Sequence, residues 1–467
     1  MKKSHLIELF NSFSRKEQRE LGKFVNSPVF NQRDDVKLLY QFLYKNHPFK
    51  RDSVLEKVAV YQALYPKKKY DEKDLDYIMS FLYSVMKAQL VHQEMTEHPY
   101  DEELYLNRAL RKRKITRLFE KELNTCTKKF KKKPHRNVDY HYFNYRLNVE
   151  KYEYNQSVSR VESDSFQELS DEFTNYFIAN KLWQSCTAIS HKKVSQTDFK
   201  QDLLTEVIAH VERNDYSNVP AVNIYYHCYK SLTSEDAALY FGKLTKLIEE
   251  NVEKFPQAEL RDIYVLAINY CIGQFNKGKS EFIRTAFELY KNGLQQKVFI
   301  ENGYLSRFTY HNIALSGMVL KEFDWVYDFI VNYKDLIEKK YRESTFHYNL
   351  AIYYFRKPDH DQAMDLLQKV EFNDVHWNLN ARRMLLKIYF EKEEFESLNS
   401  LLTSLKNFIY RHKKIGGYHR DNNLNLIKFV SRLLSLKKYD KEARVALREE
   451  IEATKGVADK AWLLEQF

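Results

Sequence analysis

Glycine and proline are scarce in this sequence, with ten and eight residues in a chain of 467. Sheet-rich folds and phosphate-binding loops use both residues freely at their turns. Their scarcity therefore favours long helices that are joined by short connections. Hydrophobic residues make up 44% of the chain, which is too apolar a composition for a disordered protein. We predict an all-α fold that is elongated and essentially free of strands.

Paired cysteines and long apolar runs are also absent. Cys126, Cys186, Cys228 and Cys271 stand alone, with no C-x-x-C pair and no histidine at ligand spacing. This pattern argues against a disulfide framework or a zinc site and fits a reducing compartment. No window approaches about 18 uninterrupted apolar residues, and Met1–Glu8 lacks the apolar core of a signal peptide. We expect a cytoplasmic protein with no membrane segment, metal or cofactor.

Positive charge is concentrated in one segment. The net charge is +11, and the thirteen bases and two acids between Tyr105 and Arg136 also sum to +11. Helical periodicity predicts a basic amphipathic connector helix over 101–136, with Ile115, Leu118, Phe119, Leu123, Cys126 and Phe130 on its apolar face. The opposite face carries a set that we call the basic ridge: Arg113, Lys114, Arg117, Lys121, Lys128 and Lys132. Such a ridge suits a nucleic-acid backbone or an acidic protein, or is a solvated face that keeps the chain soluble.

A helix-pair pattern recurs from about residue 219. Its clearest unit has Leu350-Ala351 and Tyr354 in the first helix and Ala363 and Leu367 in the second. Other copies lie 35 to 47 residues apart along the chain. The pattern resembles the tetratricopeptide repeat (TPR), although the consensus tryptophan is absent. It predicts a TPR-like α-solenoid of stacked helix pairs over 219–467, with a C-terminal cap that contains Trp462. Residues 137–218 are predicted to be helical without a clear repeat register.

The resemblance implies a concave groove lined by the first helix of each pair. In that register the groove-facing residues are Tyr226, Tyr229, Tyr264, His311, Tyr348, Arg383 and Lys387. Tyrosine and arginine are common anchors of protein interfaces. We therefore expect a protein partner to bind in this groove.

The first hundred residues form a separate predicted helical domain. Its helices at Val54–Leu64 and Leu75–Val91 are similar to the helix pair of winged-helix modules. The Phe24–Asn31 segment, the turn at Tyr65–Tyr70 and the Tyr176–Trp183 segment resemble an uncharacterised helical family of Bacteroidota. This resemblance implies a fold and a lineage but no functional residues.

One formal match to a catalytic motif exists. Gly273–Ser280 fits G-x-x-x-x-G-K-[ST], the phosphate-binding P-loop, which requires a strand before it. Helical repeat segments flank it instead, so we interpret it as a loop between two helices. The sequence therefore predicts no catalytic residues and a non-enzymatic scaffold that binds a protein. The alternative is a nucleic-acid-associated regulator that uses the basic helix at 108–136.

Overall fold

The computed structural model describes residues 1–97, 99–158, 164–195, 199–369, 374–412, 415–436 and 440–467. These residues divide into two compact units, Met1–Ile178 and Ala179–Phe467. The described residues are α-helical apart from short 3-10 turns and one small hairpin, so the all-α prediction is confirmed for them. The predicted segments 137–218 and 219–467 both include residues outside this described part.

The first unit begins with five helices that share one core and continues into four further helices, the last of which crosses Ile178. The bounds are α1 His5–Ser12, α2 Arg15–Asn26, α3 Asp34–Asn46, α4 Lys57–Leu64, α5 Glu72–Glu97, α6 Pro99–Lys112, α7 Thr116–Lys131, α8 Val138–Val158 and α9 Asp164–Ser195, with a 3-10 turn at Asp52–Leu55. One core joins α1 to α5, and its fully buried residues include Phe10, Leu21, Leu39 and Ile78.

Side-chain caps fix where several of these helices begin. Ser14 accepts a hydrogen bond from the Glu17 amide, and the Glu17 carboxylate accepts one from the Ser14 amide at 2.6 Å. This capping box satisfies two of the donors that a helix start leaves unpaired. Asp71 caps α5 in a similar way, by accepting from the amides of Lys73 and Asp74.

The winged-helix prediction is wrong for the first unit. Such a module needs a β-hairpin wing beside its helix pair. Residues 1–97 are all described, and they contain helices, turns and a 3-10 segment but no strand. The two predicted helices do form, as α4 and α5, and they pack into a helical core instead.

The predicted connector helix is also broken, because α6 ends at Lys112 and α7 begins at Thr116. Lys114 has a left-handed φ of 56°, the Ile115 amide donates to Leu110 O at 3.2 Å, and the Lys114 amide donates to Arg111 O at 2.9 Å. These two bonds form a Schellman motif, which ends a helix. Glycine usually takes the left-handed position, and here a lysine does. The sequence therefore gave no sign of the break.

The second unit contains fourteen further helices that the structure describes. They are α10 Leu204–Arg213, α11 Pro220–Thr233, α12 Ala237–Glu250, α13 Gln257–Asn276, α14 Phe282–Gln295, α15 Arg307–Val319, α16 Phe323–Asn332, α17 Lys339–Arg356, α18 His360–Gln368, α19 Val375–Glu391, α20 Phe395–Arg411, α21 Gly417–Ser435, α22 Lys441–Ala453 and α23 Lys460–Leu464, with 3-10 turns at Val252–Lys254 and Lys334–Leu336. Helices α11 to α20 form five consecutive pairs, and the second helix of each pair also contacts the helix that follows it.

The strands that the structure describes form one hairpin between α14 and α15, and each strand has two residues. β1 (Ile300–Glu301) pairs antiparallel with β2 (Tyr304–Leu305), and Ile300 lies opposite Leu305. The turn residues Asn302 and Gly303 have φ values of 51° and 82°. Asn-Gly is the dipeptide that favours such a turn, because both residues tolerate positive φ. This hairpin is a small departure from the strand-free prediction.

One glycine marks a close helix contact in the repeat region. Gly317 lies in α15, at the position that holds Tyr354 in the clearest predicted unit. A Cβ there would overlap Cγ2 of Val326 in α16 and lie 2.9 Å from the Phe287 ring in α14. Both neighbours are buried core residues, so little space can open for a methyl group.

Replacing Gly317 with alanine should therefore destabilise the protein despite the helix propensity of alanine. Overpacking costs roughly 1–3 kcal/mol, against a gain of about 1 kcal/mol from propensity. We expect a net loss of about 1 kcal/mol and a lower midpoint of thermal unfolding, followed by circular dichroism. Gly242 in α12 has nothing within 4 Å of its Cβ position, so Gly242→Ala should raise the midpoint. Equal effects of the two substitutions would contradict the close contact.

Candidate interaction surfaces

One face of α7 packs into a core of the first unit, and the opposite face is exposed to solvent. Phe119, Cys126 and Phe130 are 0%, 1% and 5% exposed, and the latter two join the core made by Leu104 of α6 and Phe143 of α8. The predicted apolar face is thus correct in its centre. The prediction is wrong at the edge of this face, because Ile115 and Leu118 at the start of α7 are 43% and 39% exposed. The orientation of α7 directs the bases opposite Phe119 toward solvent.

Carboxylates on neighbouring helices neutralise part of the basic segment. Arg108 and Arg111 donate through Nε to the two oxygens of Glu150 in α8, at 2.9 and 2.7 Å, and Arg111 also pairs with Glu153. Lys129 in α7 lies 2.9 Å from Glu103 in α6. These acids lie 26 to 42 residues from their partners in sequence, so no local pattern could have revealed the pairs.

The six residues of the basic ridge are exposed and nearly free of such partners. Lys121 lies 3.9 Å from Glu122, at the limit of an ion pair. Arg113 donates to the Ala109 carbonyl at 3.2 Å. Within the described ranges, no carboxylate oxygen lies within 4.0 Å of the charged group of the other four ridge residues or of Arg113. The ridge therefore keeps its charge, but Arg113 and Lys114 occupy the turn before α7 rather than one continuous helix.

Helix electrostatics explain only one end of the ridge. Cations near a helix C-terminus are favourable, which suits Lys128 and Lys132 at the end of α7. Arg117 lies in the first turn, where a cation is unfavourable. That turn has no acidic residue, and Ile115 at the N-cap offers no side-chain hydrogen bond. The start of α7 therefore combines uncapped amides with three cations, which is the arrangement that binds anions in other helices.

Two of the four tyrosines predicted to face the groove, Tyr264 and Tyr348, are buried. Tyr264 is fully buried and its hydroxyl donates to Asn292 Oδ1 at 2.7 Å, while Tyr348 is 4% exposed. Burial raises the pKa of each phenol to about 12. The position predicted for a partner is thus filled by packing against the neighbouring helices, and neither ring is available as an exposed anchor.

Three other predicted groove residues are half-buried and two of them have internal partners. The Tyr226 hydroxyl donates to Glu212 Oε1 at 3.2 Å, and its ring meets the edge of Tyr240. His311 Nδ1 lies 2.9 Å from Asn349 Oδ1, and its ring lies against Tyr348 and Trp377. Tyr229 is half-buried on α11.

The last two predicted groove residues are paired with the C-terminal segment. Asp459 lies 2.7 Å from Lys387 Nζ and 3.2 Å from Arg383 Nε. Trp462 in α23 donates from Nε1 to Glu391, one further turn along the same face of α19. Arg383, Lys387 and Glu391 therefore form a stripe on α19 that contacts Asp459 and Trp462. Asp459 is 72 residues from Lys387 and could not be identified from sequence.

The P-loop match has helical surroundings. Gly273 to Asn276 belong to the end of α13, Gly278 has a φ of 92° in the turn, and α14 begins at Phe282. In the described part of the chain, no group of three His, Cys, Asp or Glu side chains could hold a metal ion. None of the described helices combines the length and the apolar character needed to cross a bilayer.

Comparison with known proteins gives no further guide, because no family model, curated protein or solved structure matches the chain.

The burial of Tyr264 predicts a structural role. Tyr264→Ala should destabilise the second unit by about 3–5 kcal/mol, the range for removing a large aromatic side chain from a core. Tyr229→Ala is the matched control and should cost at most about 1 kcal/mol, because that ring is only half-buried. Chemical unfolding followed by circular dichroism measures both. A Tyr264→Ala variant as stable as the control would place this ring outside the core.

The half-buried His311 should make stability depend on pH. Burial lowers its pKa below the ordinary value of about 6.5, so the unfolded chain binds a proton more readily than the folded one. The contribution of His311 to the free energy of unfolding is fully present above the pKa that this histidine has in the unfolded chain. This contribution is lost as the pH falls through that value. We expect His311→Gln to lose less stability than the wild type between pH 7.5 and 5.5, measured by urea unfolding. Identical pH dependence would show that His311 does not contribute.

Proposed function

We propose that this chain is a non-enzymatic binding protein whose basic ridge contacts the phosphate backbone of a nucleic acid. The observation that carries the proposal is a ridge of six exposed cations, of which only Lys121 has a carboxylate within 4.0 Å among the described residues. This ridge begins at an N-terminal helix turn where cations are unfavourable. A surface selected only for solubility has no reason to place charge at that turn. An anion bound there reduces the repulsion between the cations and accepts hydrogen bonds from the uncapped amides.

The dimensions of the ridge suit a nucleic-acid strand. From Arg117 to Lys132 there are fifteen helical steps, or about 22 Å at 1.5 Å per residue. A strand of B-form DNA carries one phosphate per about 3.4 Å of axis, so this length spans about six phosphates. Four to six phosphate contacts give an affinity that decreases steeply with salt.

The protein-binding scaffold is the second candidate. Sequential packing of the helix pairs from α11 to α21 supports a TPR-like stack in the second unit. The residues predicted to line its groove support it less, because Tyr264 and Tyr348 are buried and Arg383 and Lys387 pair with Asp459. A protein partner would therefore have to use other positions of the first helices. Membership of the Bacteroidota family and a cytoplasmic location stay predictions.

Charge reversal of the ridge tests the first proposal. Changing Arg113, Lys114, Arg117 and Lys121 to Glu lowers the net charge from +11 by 4 × 2 to +3 and leaves the buried face of α7 intact. We expect affinity for a 20-base-pair duplex, measured by fluorescence anisotropy, to fall at least 100-fold at 50 mM salt. The slope of log K against log salt should flatten by about 3 to 4, since each phosphate contact contributes about 0.9.

A second quadruple variant provides the control. Lys243, Lys246, Lys277 and Lys279 are exposed residues of the second unit, and changing them to Glu also gives a net charge of +3. This control should bind the duplex almost as the wild type does. Equal loss in both variants would mean that net charge, rather than the ridge, determines binding. Absence of salt-dependent binding by the wild type would reject the nucleic-acid proposal.

A further inference from the structure

A polar cleft of about 710 Å³ lies along α19 and α20, away from every residue predicted to bind a partner. Its charged residues are Arg382 of α19, Arg411 at the end of α20 and His412 just beyond it. Asn399, Thr403 and Asn407 follow one another at four-residue spacing along α20 and therefore share one side of the cleft. Among the described residues that line it there is no carboxylate.

Arg382 is held in the cleft without a counterion. Its Nη1 donates to Ser404 Oγ at 2.9 Å, and its guanidinium carbon lies 4.9 Å from the centre of the Phe408 ring. Both contacts fix the side chain, but neither neutralises it. Arg382 is half-buried, and this burial lowers the pKa of its guanidinium group. A half-buried cation in this state gains from an anionic ligand.

Arg411 is the second cation of the cleft. Arg411 is exposed, and within the described part of the chain no carboxylate pairs with it. Its place in the last turn of α20 is favourable for the helix, so helix electrostatics account for Arg411 but not for Arg382. His412 Nδ1 lies 2.9 Å from the Phe408 carbonyl, which can only accept. The Nδ1 proton is therefore used and Nε2 of the neutral ring can only accept, so the two arginines are the donors that the charged groups of the cleft offer to an anion.

We propose that this cleft binds the phosphate group of a small phosphate monoester, with Arg382 and Arg411 as its cationic ligands. Arginine guanidinium groups match the oxygen geometry of phosphate, and the hydroxyl and amide groups of α20 supply further donors. The volume is that of a site for a small metabolite, and it leaves room beyond the phosphate for a polar remainder against Asn399, Thr403 and Asn407. This site is independent of the basic ridge, which belongs to the first unit.

Isothermal titration with ribose 5-phosphate tests the proposal. The protein should carry Glu at the four substituted ridge positions, so that the ridge cannot supply the signal. We expect saturable binding of ribose 5-phosphate, displacement by inorganic phosphate and no binding of ribose. Arg382→Gln and Arg411→Gln should each weaken binding at least tenfold. Binding of ribose, or failure of inorganic phosphate to displace the ester, would overturn the proposal.

Lys406→Gln is the matched control, because this exposed lysine lies on α20 but does not line the cleft. It should bind ribose 5-phosphate as the parent does. Equal weakening in Lys406→Gln would show that the loss of any positive charge weakens binding. Unchanged binding in Arg411→Gln would show that the cleft is not the binding site. If Arg382→Gln fails to fold, Arg411→Gln decides the outcome alone, since that side chain is exposed and makes no packing contact with a ring. Absence of saturable binding by the parent would also overturn the proposal.

Discussion

The packing of Phe119, Cys126 and Phe130 against α6 and α8 determines what the first unit offers to a partner. These side chains recur at spacings of seven and four, so they lie on one face of α7 and fix its rotation. Full burial of each aromatic ring stabilises the fold by roughly 1.5–3 kcal/mol. A rotation of α7 that hid the lysines would expose both rings. The outward direction of the basic ridge is therefore a consequence of core packing and not an accident of surface composition.

The outward direction of the basic ridge brings like charges close together on α7, and their repulsion lowers the stability of the first unit. Arg117 and Lys121, like Lys128 and Lys132, are like-charged residues four apart on one helix, and each such pair destabilises by about 0.2–0.5 kcal/mol. The same unit neutralises Arg108 and Arg111 with Glu150, whose side chain is only 3% exposed. The fold thus pairs the bases that point toward α8 and leaves unpaired those that point toward solvent. This contrast is expected of a surface whose counterions come from outside the chain.

Sequence reasoning succeeded where periodicity alone decides the structure. The helical class follows from composition, and the centre of the buried face of α7 follows from the spacing of its apolar residues. It failed where a backbone conformation has no residue signature, as at Lys114, which ends α6 in place of a glycine. The hairpin at Asn302-Gly303 did have its usual signature and was overlooked among helical patterns. In the groove, an offset of one residue in register turns a side chain by 100°, which is enough to bury Tyr264 and Tyr348.

Two adjacent arginines in α19 show why charge counts from sequence do not locate binding sites. Arg383 faces the C-terminal segment and meets Asp459, whereas Arg382 faces α20 and meets a serine and a phenylalanine ring. The two arginines are adjacent in sequence, but they contact different residues because neighbouring positions on a helix point about 100° apart. The first arginine is neutralised by a residue far along the chain, and the second keeps its charge in a place that water only partly reaches. Binding potential therefore depends on which cations are left unpaired after folding, and the basic ridge of α7 and the arginines of the cleft beside α20 are two such groups among the described residues.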